Sequence, residues 1–210
     1  MMLSMSNRTE TRERVRQKLR TRAALLAAAR ELVEQGRTPT VAEVADAATV
    51  SRATAYRYFP TQEALLLEVP LDVAAPTLAS LFGDDRAPTD PEDRAALVQN
   101  ALYDLARDHE TEFRLFLRAA VLRSLTDGAS DPFRGARRSV LLDQALAPLA
   151  GELPADEIDQ LKTGLSMLVG VESMIVLRDV LRLTHDEARA AGELAVRQMV
   201  RARRASGGVT

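Results

Sequence analysis

From Thr49 to Leu65 the chain reads TVSRATAYRYFPTQEAL. Only 4% of its residues are aromatic and it has three tyrosines, yet Tyr56 and Tyr58 stand together here, followed by Phe59. Taken as a helix capped by Ser51, the segment presents an outer face of Ser51, Arg52, Thr54, Tyr56, Arg57 and Tyr58. Hydroxyl and guanidinium groups donate to phosphate oxygens. An arginine can fork onto guanine, and a threonine offers a methyl and a hydroxyl to a base edge. A recognition helix carries such residues near its N-terminus, where they reach the groove floor. The chemistry on offer is recognition of double-stranded DNA. The spacing alone also fits an ordinary helical hairpin with an exposed polar face.

Two short helices joined by a tight turn must position that face. The first is expected over Thr40–Ala47, where Thr40-Val-Ala-Glu43 is a capping-box sequence. The second is expected over Ser51–Tyr58, because Pro60 disfavours helix at Phe59. These are the dimensions of a helix-turn-helix. Ala45 and Ala48 allow close crossing, with Val44 and Val50 packed inside. Ahead of them, Val15, Leu19, Ala23, Leu26, Ala29 and Val33 recur at helical spacing, predicting a helix over Arg12–Gln35 that ends at Gly36.

Charge is distributed unevenly. Residues 1–69 hold 11 Lys/Arg against 8 Asp/Glu, a net of +3, while the remainder holds 17 against 22, a net of −5. Arg8, Arg12, Arg14, Arg16, Lys18, Arg20 and Arg22 form a basic arm opposed only by Glu10 and Glu13. A basic end on an acidic body suggests a polyanionic partner at one end; the arm is equally compatible with a solvated helix start. The whole chain carries −2, which argues against a generally sticky nucleic-acid binder.

The 210 residues contain no cysteine, which excludes disulfides and thiolate metal sites and fits a reducing cytoplasm. No apolar run reaches the roughly 18 residues of a membrane span, and no apolar segment of a signal peptide opens the chain, so no membrane partner is expected. Alanine and leucine dominate and no period-2 strand is evident, so the expected fold class is all-α. Thr61 should cap a fourth helix, kinked or broken by Pro70 and Pro76 before Phe82. GDDRAPTD (83–90) is the clearest connector, and Asp90-Pro91 should open the next helix. Further helices are expected over FRLFLRAAVLRSL, from Asp131-Pro132 to about Ala150, from Ala155 to Leu183 as one long apolar helix, and from the capping box Thr184–Glu187 to about Arg204. The expected domains are a helix-turn-helix domain (1–60) with its basic arm, a connecting helix (61–82), a bundle (83–205) and a flexible tail (206–210).

The stretch TVAEVADAATVSRATAYRYFPTQEALLLEV, Thr40 to Val69, resembles the DNA-binding domain of tetracycline-repressor-type (TetR) transcriptional regulators. The likeness rests on Thr40-Val-x-x-Val-Ala, Val50-Ser51, Tyr56-x-Tyr58-Phe59 and Glu63-Ala64-Leu65, and covers about Arg14 to Leu67. It implies a homodimer on a palindromic operator, with a C-terminal bundle whose small-molecule effector weakens DNA binding. It also implies phosphate contacts from Thr40, Tyr56, Tyr58 and the start of the fourth helix, and groove contacts from Arg52 and Thr54. The chain departs from the pattern at three places. Thr49 stands where glycine is usual, which carries strain of about 1–2 kcal/mol if that position needs positive φ. Ala55 replaces a larger aliphatic. Gln62 replaces a lysine, so one charge-assisted phosphate contact is lost.

For the bundle, Tyr103, Phe113, Phe116, Leu117, Arg123 and Met167 are the candidate lining of an effector pocket. Aromatic and methionine positions at helical spacing are more often plain core. The Leu, Ala and Val content points to an apolar or amphipathic effector. The apolar segment 164–183, with residues 187–199, fits an intersubunit four-helix bundle, as the resemblance implies, and equally fits burial inside one monomer. An enzyme is the competing class: the only histidines are His109 and His185, and there is no His-Glu-x-x-His spacing, Gly-rich phosphate loop or Gly-x-Ser-x-Gly elbow. No catalytic residue, cofactor or metal site is nominated. A structural DNA binder is the other alternative, disfavoured by the acidic body.

Overall fold

A computed structural model describes the backbone over residues 3–127 and 136–207, and the side chains over 17–125 and 137–206 except 73 and 123. Among these residues every regular element is helical. The chain divides into two compact units.

The first unit comprises residues 1–73 and 116–130. Its helices are α1 (Leu3–Glu34), α2 (Val41–Ala47), α3 (Arg52–Tyr58) and α4 (Gln62–Ala74), joined by the later part of α7 (Glu110–Asp127). Gly36 at φ 76° closes α1, as its sequence position suggested. The buried stripe of α1 is Leu25, Leu26, Ala28, Ala29 and Leu32. That corrects the expected phase: Ala23 and Val33 lie exposed and Leu19 half-exposed. An alanine-rich helix is weakly hydrophobic all round, so its partners decide which face turns inward. Val41, Val44 and Ala45 of α2, Ala55 and Tyr58 of α3, Phe59, and Leu65, Val69 and Leu71 of α4 join the buried set. Arg22 ion-pairs with Glu68 and lies 5.2 Å over the Phe59 ring, tying α1 to α4. Pro70 is accommodated inside α4, and the break falls at Pro76 alone. In an expected connector, α4 groups with the first unit and α5 (Leu78–Phe82) with the second.

The second unit comprises residues 74–115 and 131–210. Asp90 caps α6 (Pro91–Asp108), with Pro91 at its first turn as expected. Residues 128–135 lie outside the described set, so the Asp131-Pro132 start does too. The following helix α8 spans Ala136–Leu146 and runs into a 3-10 turn, Ala147–Gly151. The core joins Ala95, Val98 and Leu102 of α6 to Leu141, Leu142 and Leu146 of α8, Leu161 and Leu165 of α9 (Ala155–Leu168), and Val196 and Val200 of α11 (His185–Gly207). Helices α6 and α11 run antiparallel and are laced by Asp90–Arg204, Glu92–Arg201, Asp93–Arg197 and Asp104–Arg189.

The single helix expected over 155–183 is broken. Gly170 at φ 98° separates α9 from α10 (Val171–Ile175), which passes into a π-helical turn, Val176–Val180. Arg138 fills the space a Cβ at Gly170 would need, 3.1 Å from its Nη2. Its guanidinium donates to Ser166 O (2.6 Å) and to Glu172 (2.7 Å), so a cation closes the C-terminal end of α9. Thr184 and Glu187 form the expected cap of α11. That helix continues to Gly207, so Ser206 and Gly207 are helical where a flexible tail was expected; residues 208–210 lie outside the described set.

Candidate nucleic-acid interface

The interface is built from two capped helices and the turn between them. Thr40 is the N-cap of α2. Its hydroxyl accepts from Glu43 N (3.2 Å), and its own N–H and O–H both donate to Glu43 Oε2 at 2.8 Å. Those bonds, together with Arg37, hold the Glu43 carboxyl below its ordinary range. Thr40 is exposed, but its donors are committed to the cap; contact with phosphate requires exchange with Glu43.

Helix α2 ends at Ala47 with Ala48 as its C-cap, and Thr49 adopts φ 55°. The turn is therefore left-handed at a β-branched residue, as the departure from glycine implied. Ser51 then caps α3, accepting from Thr54 N at 3.2 Å and donating its hydroxyl to Thr54 Oγ1 at 2.8 Å. Ser51, Arg52, Tyr56 and Arg57 are exposed and Thr54 is half-exposed. Tyr56, at 47% exposure, is the outward aromatic of the helix. Five of the six expected face residues are thus at least partly exposed on α3 and its cap.

Tyr58 is the exception. It is 6% exposed, so its ring belongs to the core with Phe59 rather than to the outer face. The physical reason is phase: Tyr58 lies three residues after buried Ala55 and shares its stripe. The Arg57 guanidinium sits 5.7 Å over the Tyr58 ring. Gln62 is half-buried, and its amide donates to Thr38 O (3.2 Å), holding the start of α4 to the segment before α2.

One residue of this surface escaped the sequence reading. Asp46, on the last turn of α2, accepts from Arg52 Nη2 at 2.7 Å and from Arg52 Nε at 3.3 Å. The Arg52 hydrogen bond draws the Asp46 carboxyl below its ordinary range. Only the six-residue separation across the turn could have signalled it. In the basic arm, Arg20 donates to Gln17 and Arg22 is turned inward to Glu68. Arg8, Arg12, Arg14 and Arg16 lie outside the described side chains.

The candidate effector lining is divided between the two units. Tyr103 is fully buried, its hydroxyl 3.1 Å from His185 Nδ1, and burial pushes its phenol up. Phe113 packs against the same small cluster, with Val171, Met174 and Ala188. Phe116 and Leu117 belong to the first unit, whereas Tyr103, Phe113 and Met167 belong to the second. Met167 is 71% exposed, which corrects its assignment as lining: it faces away from the core that Leu161 and Leu165 enter. Arg123 lies outside the described side chains.

Among the described residues no cluster of three or more His, Asp or Glu is placed to hold a metal ion. None of their helices is by itself long and apolar enough to cross a membrane; α9 with the 171–180 segment reaches that composition jointly, bent by 46°.

Residues 24–69, from the middle of α1 into α4, match the family described as bacterial regulatory proteins, tetR family. No curated protein and no solved structure matches the chain. The match covers α2, the turn and α3, with its Ser51 cap and its exposed Arg52, Tyr56 and Arg57. The chain is a DNA-binding transcriptional regulator that carries the N-terminal domain of the TetR family.

Proposed function

We propose that the chain is a ligand-responsive repressor that binds a palindromic operator in the cytoplasm as a homodimer. Two α3 helices, one from each protomer, enter successive major grooves about 34 Å apart. The observation that carries this reading is α3 itself: Arg52, Tyr56 and Arg57 exposed, with Thr54 beside them, on a tetR-type domain. Arg52 and Thr54 address bases; Tyr56, Arg57, Ser51 and Thr40 address phosphates; Gln62 supports the start of α4.

Dimerisation draws support from large apolar side chains left exposed in the second unit. Met167 (71%) lies on α9, Val176 (52%), Val180 (69%) and Leu181 (57%) on the π turn and its end, and Leu194 (56%) on α11. Where such side chains form one contiguous patch, they mark an association site. The effector is apolar or amphipathic, in keeping with a second unit whose buried residues are mostly Leu, Val and Ala. Release requires that the effector bind the DNA-free arrangement more tightly than the DNA-bound one.

Footprinting on the DNA flanking its own coding region, with and without compounds that raise its melting temperature, tests the proposal. A discrete symmetric footprint that such a compound removes is expected. Uniform protection of any sequence would favour a structural DNA binder. Sedimentation giving a monomer at micromolar concentration would remove the dimer.

A further inference from the structure

The ion pair between Asp46 and Arg52 joins the last turn of α2 to the first residue of α3. Both side chains are well exposed, at 58% and 65%, so the pair contributes little to stability. Its geometry is more informative. A guanidinium has five N–H donors in a rigid planar fork. Asp46 takes the side-on edge, through Nε at 3.3 Å and Nη2 at 2.7 Å. The end-on edge, one N–H from each Nη, makes no hydrogen bond among the described residues. That is the edge a bidentate contact to guanine O6 and N7 uses. The pairing therefore orients the fork without consuming its reading edge. It also fixes a side chain that is otherwise highly flexible. The Asp46 carboxylate, held ionised by the same hydrogen bond, repels phosphate oxygens and discourages Arg52 from swinging onto the backbone.

We propose that Asp46 is the specificity-setting residue of this domain, holding Arg52 as a fixed guanine reader and opposing its use as a general phosphate contact. The inference rests on the reading that α3 enters the major groove. Asp46 is a positioning residue: it acts through Arg52 and need not touch a base.

The test is in vitro selection from a randomised duplex library with the full-length chain, as wild type, Asp46→Ala, Asp46→Asn and Arg52→Ala. Each protein is then titrated by fluorescence anisotropy, across a salt series, against the wild-type consensus duplex and a scrambled duplex. Wild type should select a guanine at one position of each half-site, and Arg52→Ala should lose it. Asp46→Ala and Asp46→Asn should lose most of that guanine preference, about tenfold in the ratio of consensus to scrambled affinity. Affinity for the scrambled duplex should rise, with a salt slope steeper by about one, as Arg52 moves to a phosphate. A merely structural residue would weaken both duplexes in proportion and leave the selected bases unchanged. Either that pattern, or retention of the guanine preference in both Asp46 variants, overturns the inference. If wild type itself selects no sequence, the DNA-reading assignment of α3 fails first, and the two failures are distinguishable.

Discussion

Replacing Thr49 with glycine should stabilise the protein, and the turn geometry sets the size of the effect. Thr49 follows Ala48, the C-cap of α2. Its N–H bonds to Asp46 O at 3.2 Å, and the Val50 N–H bonds back to Ala45 O at 2.9 Å. These two bonds form a Schellman closure, which places the residue after the cap in the left-handed region. The same closure ends α1, where Gly36 N bonds to Val33 O at 2.8 Å and Arg37 N to Leu32 O at 3.1 Å. There the left-handed residue is glycine at φ 76°; here it is threonine at φ 55°. A Cβ in that region costs about 1–2 kcal/mol, and β-branching puts Thr49 at the upper end. Glycine removes this cost but loses more backbone freedom on folding, about 0.5–1 kcal/mol. The net expectation for Thr49→Gly is stabilisation by about 1–1.5 kcal/mol, since exposed Thr49 buries no surface that would be lost. In a chain of this length 1 kcal/mol moves the melting temperature by about 2–4 °C. Urea unfolding at 25 °C and calorimetry would read both quantities. Thr49→Ala is the control, because it keeps the Cβ and should recover only a minor part of the gain. A Thr49→Gly variant no more stable than Thr49→Ala would refute the strain argument.

Three further outcomes follow from the second unit and the caps. Gly192→Ala would stabilise an open helix by about 1 kcal/mol, but here the new Cβ would stand 2.2 Å from Nε2 of fully buried Gln99. It should instead destabilise by about 1–2 kcal/mol, and become neutral or stabilising when combined with Gln99→Ala; additive effects in urea unfolding would contradict the contact. Gln99→Met keeps the bulk and removes an amide whose two polar atoms have no hydrogen-bond partner among the described residues. It should raise stability by about 1 kcal/mol on the same assay. The Glu43 carboxyl is held below its unfolded value by Thr40 and Arg37, so its contribution is complete above the ordinary glutamate range and is lost as pH falls through the lower folded value. Glu43→Gln should flatten the acid limb of the stability profile in that window, and an unchanged limb would show the cap carboxylate to be irrelevant to it.

What could be read from the sequence was what neighbouring residues decide. Capping boxes at Thr40–Glu43 and Thr184–Glu187, the Ser51 and Asp90 caps, and Gly36 closing α1 all depend on contacts within one turn of helix. The exposed polar face of α3 was legible because its residues sit on a short helix bounded by Ser51 and Pro60. What could not be read depends on partners distant in sequence. The break at Gly170 is stabilised by Arg138 from another helix, so the apolar run 164–183 looks continuous in isolation. The inward face of α1 is chosen by α2, because leucines and alanines occur on several of its faces. Tyr58 has donor chemistry on its ring, but a phase shared with Ala55 takes the ring into the core. Asp46 looked like an ordinary acidic helix residue until the turn folded it back onto Arg52.

The central claim is that α3 reads DNA, and it is tested most directly by binding of the full-length chain to its selected duplex. The measurement is fluorescence anisotropy with wild type, Arg52→Ala and Tyr56→Ala at one fixed salt concentration. Wild type should prefer the selected duplex over a scrambled one by about a thousandfold or more. Arg52→Ala and Tyr56→Ala should each weaken it by about tenfold or more, with melting temperatures close to wild type because both side chains are exposed. Binding by either variant as tight as that of wild type would contradict the account.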